Sequence, residues 1–411
     1  MDILFLHPNF PGQFRRLAVA LARDPAVRVW GMGDASQMVP GQAPPGVQVL
    51  PYPAIAAAND AVHPMARGFD QAVRRGEQVV VSLADYKRKG LEPDVIVAHP
   101  GWGDAFFVRD FFPGARVVGL FEYFYRARGA DVGFDPEFPA QFGDIFRLHA
   151  SNATQLLALE SCDDAICSTA WQKSRFPPAY QSKLQVLHEG IDTQQARPDP
   201  AATFELPDGT VLRHGDEVLT YVSRSLEPYR GFHVFMRALP AILRARPQCQ
   251  VLVVGAQEGV SYGTPPADGS HWKAVCLREL QSQGQPIDLA RVHFTGALPH
   301  ADYLRVLQVS RAHVYLTYPF ILSWSLIEAM SVGCVLITSG TAPVQEVITD
   351  GVQGLHFAFK DHDTLARLAI NALADPAGHA HLGQAARQLA QERFDFETVS
   401  LPAYRALLDC C

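Results

Sequence analysis

Short runs of apolar residues recur through the first half of the chain, at residues 3–7, 27–31, 47–51, 95–99, 117–121, 165–168 and 184–187, and stretches of helical spacing fall between them. Most of these runs are continuous rather than alternating, which marks strands buried on both faces. Strands that alternate with helices build parallel sheets covered by helices on two sides. A second series repeats the arrangement, with strands predicted at 218–223, 250–254, 292–295, 312–317 and 335–338 and an edge strand at 355–357. Its helices are expected near 232–246, 273–281, 301–307 and 326–331. Between the two series the pattern fades around Pro198, Pro200, Pro207 and Gly209, as at a domain boundary. The expected fold is therefore α/β, with two doubly wound, Rossmann-like domains joined by a short hinge and facing each other across a cleft. The expected divisions are 1–192, 193–390 and a C-terminal helix over 391–411 that packs back on the first domain. Helical spacing over 364–393 and 398–408 closes the chain.

One segment is more amphipathic than the rest. Over 64–90 it sets Phe69, Val73, Val80 and Leu83 on one side and leaves Arg74, Arg75, Lys87, Arg88 and Lys89 outside. Two readings fit: a helix packed on a sheet with a solvated charged face, or a basic helix in peripheral contact with an anionic membrane.

Composition narrows the partners. The 411 residues are 48% hydrophobic and 19% charged, the proportions of a globular enzyme of two or three domains. A net charge of −7 argues against a nucleic-acid partner, which calls for a basic surface. Seven cysteines with no Cys-x-x-Cys pair fit no zinc site and suit a reducing, cytoplasmic setting. The adjacent Cys410 and Cys411 read as a frayed tail. The start of the chain is too short an apolar run for a signal peptide, and Pro319, Glu328 and Gly333 interrupt the long apolar region 314–338.

In doubly wound sheets, ligands sit beyond the carboxyl ends of strands, so residues there carry the candidate chemistry. Gly12, in the turn after the first strand, opens a helix that a ligand could approach, or serves the geometry of a tight turn. No Gly-x-Gly-x-x-Gly occurs, against a dinucleotide-dependent dehydrogenase. His99 ends the strand at 95–99. The next strand ends in a loop holding Glu122, Arg126 and Arg128, which reads as acceptor recognition or as a solvated connection. Farther on, Ser325-x-x-Glu328 has the spacing of a capping box, in which Glu328 would only close the start of a helix.

Four motifs in order give a more specific signal. These are Val186-Leu187-His188-Glu189-Gly190-Ile191-Asp192, Ser223-Arg224-Ser225-Leu226-Glu227-Pro228-Tyr229-Arg230-Gly231, Leu326-Ile327-Glu328-Ala329-Met330-Ser331-Val332-Gly333, and Gln345-Glu346-Val347-Ile348-Thr349-Asp350-Gly351 with Gly354. Together they resemble the signatures of the retaining glycosyltransferases of family four, whose two-domain fold is called GT-B. The resemblance implies transfer of a sugar from a nucleotide-diphosphate-sugar donor to a glycan or lipid-linked acceptor, with no cofactor and no metal requirement. It implies that Arg224 and Arg230 bind the leaving diphosphate, whose growing charge needs fixed cations. It also implies that Glu328 accepts hydrogen bonds from the ribose, and that Ile321, Leu322, Ser323 and Ser325 line the donor site. His99, Arg126 and Arg128 are expected on the acceptor side. Bacterial surface or exopolysaccharide synthesis is the setting suggested by analogy.

The sequence departs from that pattern twice. Phe320 stands where the family's glutamate for the donor sugar is expected, and Glu122 stands where many members carry a histidine. An unusual donor sugar, or a catalytic Glu122 that supplies the missing acceptor group, would account for both. A sugar-nucleotide epimerase or hydrolase of the same fold, and a non-catalytic nucleotide-binding partner protein, are the alternatives.

Overall fold

The computed structural model describes residues 1–38, 41, 43–57 and 61–409. It divides into two units, one of Met1–Gly190 together with the C-terminal segment from Phe396, the other Ile191–Asp395. The chain passes between them twice. At the second passage, Ile191 N donates to Phe394 O at 2.8 Å and the Thr193 hydroxyl donates to Asp395, both within the second unit.

The first unit is built on seven strands, β1 Asp2–Leu6, β2 Arg28–Asp34, β3 Val47–Tyr52, β4 Val95–Ala98, β5 Arg116–Leu120, β6 Asp164–Cys167 and β7 Leu184–Val186. All pair in parallel in the order β3-β2-β1-β4-β5-β6-β7. Helices α1 Arg15–Ala22, α2 Arg67–Arg88, the short α3 Val108–Phe111, α4 Asp144–Ser161, and the short α5 Ala170–Arg175 and α6 Pro178–Gln181 connect them. Successive side chains of a strand point to opposite faces. Leu4 and Leu6 accordingly join Val79 and Leu83 of α2 in one core, while Ile3 and Phe5 join Leu17 and Leu21 of α1 in the other. That second core also takes in Phe396, Leu401, Tyr404 and Leu407 from the end of the chain.

The second unit starts with an antiparallel pair, β8 Thr203–Glu205 and β9 Val211–Arg213, in the stretch expected to lack regular structure. Three-residue strands around Pro207-Asp208-Gly209 are too short to show a period, yet Leu206 and Leu212 are buried against Val306 and Val309. Six parallel strands follow, β10 Val218–Ser225, β11 Gln250–Ala256, β12 Val292–Gly296, β13 Ala312–Tyr315, β14 Leu336–Ser339 and β15 Leu355–Phe357, in the order β12-β11-β10-β13-β14-β15. The helices are α7 Phe232–Ala245, α8 Trp272–Ser282, α9 His300–Val309, α10 Trp324–Val332, the short α11 Ala342–Gln345, α12 His362–Ala374 and α13 Pro376–Phe394, with α14 Leu401–Leu407 back in the first unit.

Three local expectations need correction. The helical pattern over 364–393 is two helices, because Pro376 starts α13 and Asp375 caps it by accepting from Gly378 N at 2.9 Å. The chain returns to the first unit after Asp395, so all of α13 belongs to the second. In α2 the buried line is Ala72, Gly76, Val79 and Leu83, and Val80 is only half-buried. Three consecutive valines, Val79 to Val81, leave the face ambiguous by one residue in sequence; here a turn of about 100° per residue decides it. Cys410 and Cys411 lie outside the described residues.

The α2 correction is testable by urea unfolding. Val79→Ala is expected to cost about 1–3 kcal/mol, as for loss of buried methyl groups, whereas Val80→Ala stays within about 0.5 kcal/mol. Equal losses at the two positions would contradict the register.

Candidate functional site

In both sheets the strand order reverses direction once, between β1 and β4 in the first unit and between β10 and β13 in the second. At such a point the connections leave to opposite faces and open a crevice beyond the strand ends. Most of the sequence-predicted site residues collect at these two places, one set in each unit, with Arg126 and Arg128 apart from them.

In the first unit the register pairs Leu6 with Ala98, and His99 N donates to Leu6 O at 3.0 Å, so His7 and His99 end neighbouring strands side by side. Their rings lie 5.5 Å apart, and Trp102 packs on both, at 5.2 Å from His7 and 4.3 Å from His99. Glu122, just past β5, places its Oε2 3.3 Å from His99 Nε2, and its Oε1 accepts from Gln13 Nε2. The Gln172 amide donates to the Glu122 carbonyl at 2.6 Å. Gly12, His99 and Glu122, widely separated in sequence, thus belong to one cluster. Gly12 owes its identity to His7: it has φ +47°, and a Cβ there would stand 2.6 Å from His7 Nε2. The side of Gly12 on which a Cβ would stand is filled by the imidazole.

The electrostatics of this cluster favour a neutral His7 and an ionised Glu122. Burial, reinforced by His99, pushes His7 down to about 3, and its Nδ1 accepts from Asn9 N at 2.9 Å. Burial acts to raise Glu122, but the His99 imidazole and the Gln13 amide outweigh it and hold the carboxyl below its ordinary range. His7 and Gln13 were not among the predicted site residues. The rule that selected His99, a polar side chain ending a buried strand, selects His7 equally.

Arg126 and Arg128 take different places. The Arg126 Nε donates to Arg175 O at 2.6 Å and its guanidinium packs 5.0 Å from the Phe124 ring, whereas Arg128 is exposed.

In the second unit the crevice is lined by the loop after β10 and the loop from β13 to α10. Arg230 is buried, and its Nη1 donates to Thr317 Oγ1 at 2.8 Å and to Ile321 O at 3.0 Å. Its position depends on Gly231, which ends the turn Pro228–Arg230 with φ +68° and opens α7; a Cβ there would meet Leu316 Cβ at 2.4 Å. Arg224 is exposed at the end of β10. Between them Glu227 is fully buried, its Oε2 accepting from the amides of Ser261 and Tyr262 at 2.6 and 3.0 Å. Burial raises its pKa against the pull of those amides and of both arginines.

Phe320 does not simply replace a sugar-binding carboxylate with an open apolar wall. It is buried, with its ring 4.8 Å from Tyr262 and 5.6 Å from Tyr229, and Arg230 lies 5.3 Å from Tyr262 and 5.8 Å from Phe320. The aromatic group therefore packs the guanidinium from its apolar sides. Glu227, Tyr262 and Thr317 could not be assigned from spacing, since each acts through a partner distant in sequence.

Helix α10 begins two residues earlier than expected. Ser323 is its N-cap, accepting from Ser325 N at 3.2 Å, and the two hydroxyls lie 2.9 Å apart. Ser323 N in turn donates to the Tyr315 hydroxyl at 3.0 Å. The Ser325–Glu328 capping box is thereby excluded, because Glu328 is the fifth helical residue. Its side chain is buried and its Oε1 lies 2.9 Å from His300 Nε2, at the start of α9. Ile321, Leu322 and Ser323 remain half-buried beside it in the chain.

Two parallel-sheet units, each with polar residues at its strand-order reversal, match the two-domain architecture called GT-B. The model of the glycosyl transferase family 4 group matches residues 26–196, and that of the glycosyl transferases group 1 matches residues 204–389. The two models together span most of the chain, and both describe glycosyltransferases. It is similar to glycogen synthase of Mycobacterium tuberculosis (strain CDC 1551 / Oshkosh), 29% identical over 46% of this chain and 41% of that protein, so the match spans less than half of the relative. It is 25% identical to the phosphatidyl-myo-inositol mannosyltransferase of Mycolicibacterium smegmatis, over 64% of this chain and 70% of that one. Among solved structures, Anabaena Alr3699/HepE in complex with UDP and glucose matches over 100% of both chains, with a TM-score of 0.64 and 17% identity.

The state of Glu122 gives a pH signature. Its folded pKa lies below the unfolded value, so the charged contacts stabilise the fold above the ordinary carboxylate range and that contribution is lost as pH falls through the folded pKa. The thermal midpoint of the wild type minus that of Glu122→Gln is expected to be largest at neutral pH and to shrink steadily on acidification below that range. A difference that is constant with pH would contradict an ionised, partnered Glu122.

Proposed function

We propose that the protein transfers a sugar from a nucleotide-diphosphate-sugar to a glycan or lipid-linked acceptor, with retention of anomeric configuration. The observation that carries this reading is Arg230, a buried cation fixed between the loop of β10 and the approach to α10, beside the N-terminus of a helix that holds Glu328. When the glycosidic bond breaks, negative charge gathers on the departing diphosphate. Fixed guanidinium donors and a helix N-terminus meet that charge in place. In this reading Arg224, exposed at the end of β10, supplies the second cation, Ile321 to Ser325 border the donor, and Glu328 accepts from the ribose hydroxyls. The arginine pair does the work that a divalent ion does elsewhere, so no metal is called for.

The ionised Glu122 serves as a hydrogen-bond acceptor for sugar hydroxyls, with His99 beside it, and Arg126 and Arg128 belong to the acceptor side. Retention without a covalent enzyme intermediate is met by same-face displacement, in which a leaving-phosphate oxygen takes the acceptor proton as the new bond forms. A cytoplasmic location accords with the buried free thiols Cys162, Cys167, Cys249, Cys276 and Cys334. Relatives include enzymes named as mannosyltransferases of phosphatidylinositol lipids. Their names support a lipid-linked acceptor, and a role in building surface or extracellular polysaccharide is proposed by analogy.

A thermal-shift panel of UDP-, GDP-, ADP- and TDP-sugars tests the reading, because a ligand of the folded state raises its apparent stability. One nucleotide class is expected to stabilise the wild type. Arg224→Ala is expected to weaken that donor by about tenfold to a hundredfold, the usual loss for a charged hydrogen bond, and Glu328→Gln by a comparable factor. Stabilisation by no nucleotide sugar, or binding unchanged in both variants, would overturn the assignment.

A further inference from the structure

The first unit carries a concentration of exposed apolar side chains that the sugar chemistry does not use. Phe142 is 84% exposed, Phe146 50%, Ile145 43%, and Leu156 and Leu157 37% each, all on or just before α4. The other large exposed apolar residues among those described are scattered through the sequence. Phe142 and Phe146 contact each other with ring centres 5.2 Å apart. Beside them a groove of about 770 Å³ runs between the outer face of α4 and the loop Phe124 to Ala127, with Ile145, Phe146, Leu156 and Pro177 in its lining.

One edge of this groove is basic. Arg126 donates to Arg175 O, and Arg175 Nη1 donates to Gly129 O at 3.3 Å, which ties Arg126, Arg175 and the loop carrying Arg128 into a single rim. Arg147 on α4 is paired with Asp144 at 2.8 Å and is not counted in this rim. An apolar groove bordered by arginines matches an anionic amphiphile. A second copy of the chain fits less well, since a two-fold contact would set this rim against itself. Helix α2, the basic segment singled out in the sequence, is a poorer surface: Arg74 pairs with Asp70, Arg88 with Asp85 and Lys87 with Glu92.

We propose that this face of the first unit rests on an anionic phospholipid surface. Phe142 and Phe146 sit at the level of the headgroups, the arginines lie against lipid phosphates, and the groove receives acyl carbon. Phe, like Trp and Leu, forms the apolar face of segments that bury into the boundary between headgroups and acyl chains. The proposal does not depend on the identity of the donor or acceptor.

The test is flotation of the full-length protein with phosphatidylcholine vesicles and with mixed phosphatidylcholine–phosphatidylglycerol vesicles. The wild type is expected to float with the mixed vesicles only. The double variant Phe142→Ser with Phe146→Ser should lower the bound fraction about tenfold, given the apolar area withdrawn, at an unchanged thermal midpoint. Arg128→Glu should weaken binding to the mixed vesicles alone, and Arg74→Ala with Arg88→Ala should leave it intact. Failure of the wild type to float, undiminished flotation of the phenylalanine variant, or loss of flotation in the α2 variant would overturn the proposal. So would a dimer in size-exclusion chromatography that the phenylalanine variant converts to monomer without any vesicle binding, which would assign the face to a second copy.

Discussion

A guanidinium withdrawn from water must have its donors and its charge answered by the protein, and Arg230 organises the second unit around that requirement. Thr317 and the Ile321 carbonyl take its Nη1 hydrogens. Tyr262 and Phe320 pack near it, and Tyr262 is itself fixed because Glu227 accepts its backbone amide. Glu227 also supplies negative charge in a place too buried for a lone carboxylate, and its pKa records the strain between burial and the arginines. The loop after β10, the loop after β11 and the approach to α10 are thus mutually dependent. The substitution of Phe320 for a carboxylate is understandable in these terms, since a buried aromatic ring here serves the arginine rather than a ligand.

The two units use the same topological device for opposite chemistry. Each sheet reverses its strand order once, and polar side chains gather beyond the strand ends at that point. In the second unit they are cations and a helix N-terminus. In the first they are a neutral imidazole, a second imidazole and an ionised carboxylate, with charge settled by burial at His7 and by close partners at Glu122. Glu122 at the end of β5, together with His99 at the end of β4, occupies a place for which the family resemblance suggests a single histidine.

The long-range order of the fold was legible because most central strands are nearly continuous apolar runs, as burial on both faces favours. The polar residues that end those strands were legible for the same reason, as His99 and Glu122 show. What remained hidden depends on contacts between elements. The face of α2 turned on one residue among three valines. The β8–β9 pair had too few residues for a period, and its burial against α9 is a tertiary fact. Gln13, Glu227, Tyr262 and His300 acquire meaning only when elements distant in sequence come side by side.

Glu328 shows how far spacing alone can mislead. Three residues after Ser325, it matches a capping box, yet with Ser323 as the cap it lies five residues on, about 7.5 Å along the helix axis from the cap residue. A carboxylate at that depth has to be satisfied by another element. His300, at the first position of α9, provides the contact to Oε1, while burial and the same carboxylate push the Tyr303 phenol well above its ordinary value. Both partners come from one turn of α9, so the carboxylate is oriented by the packing of α9 on α10 before any ligand arrives. Its geometry is then a property of the core, and the cost of ordering it falls on folding rather than on binding.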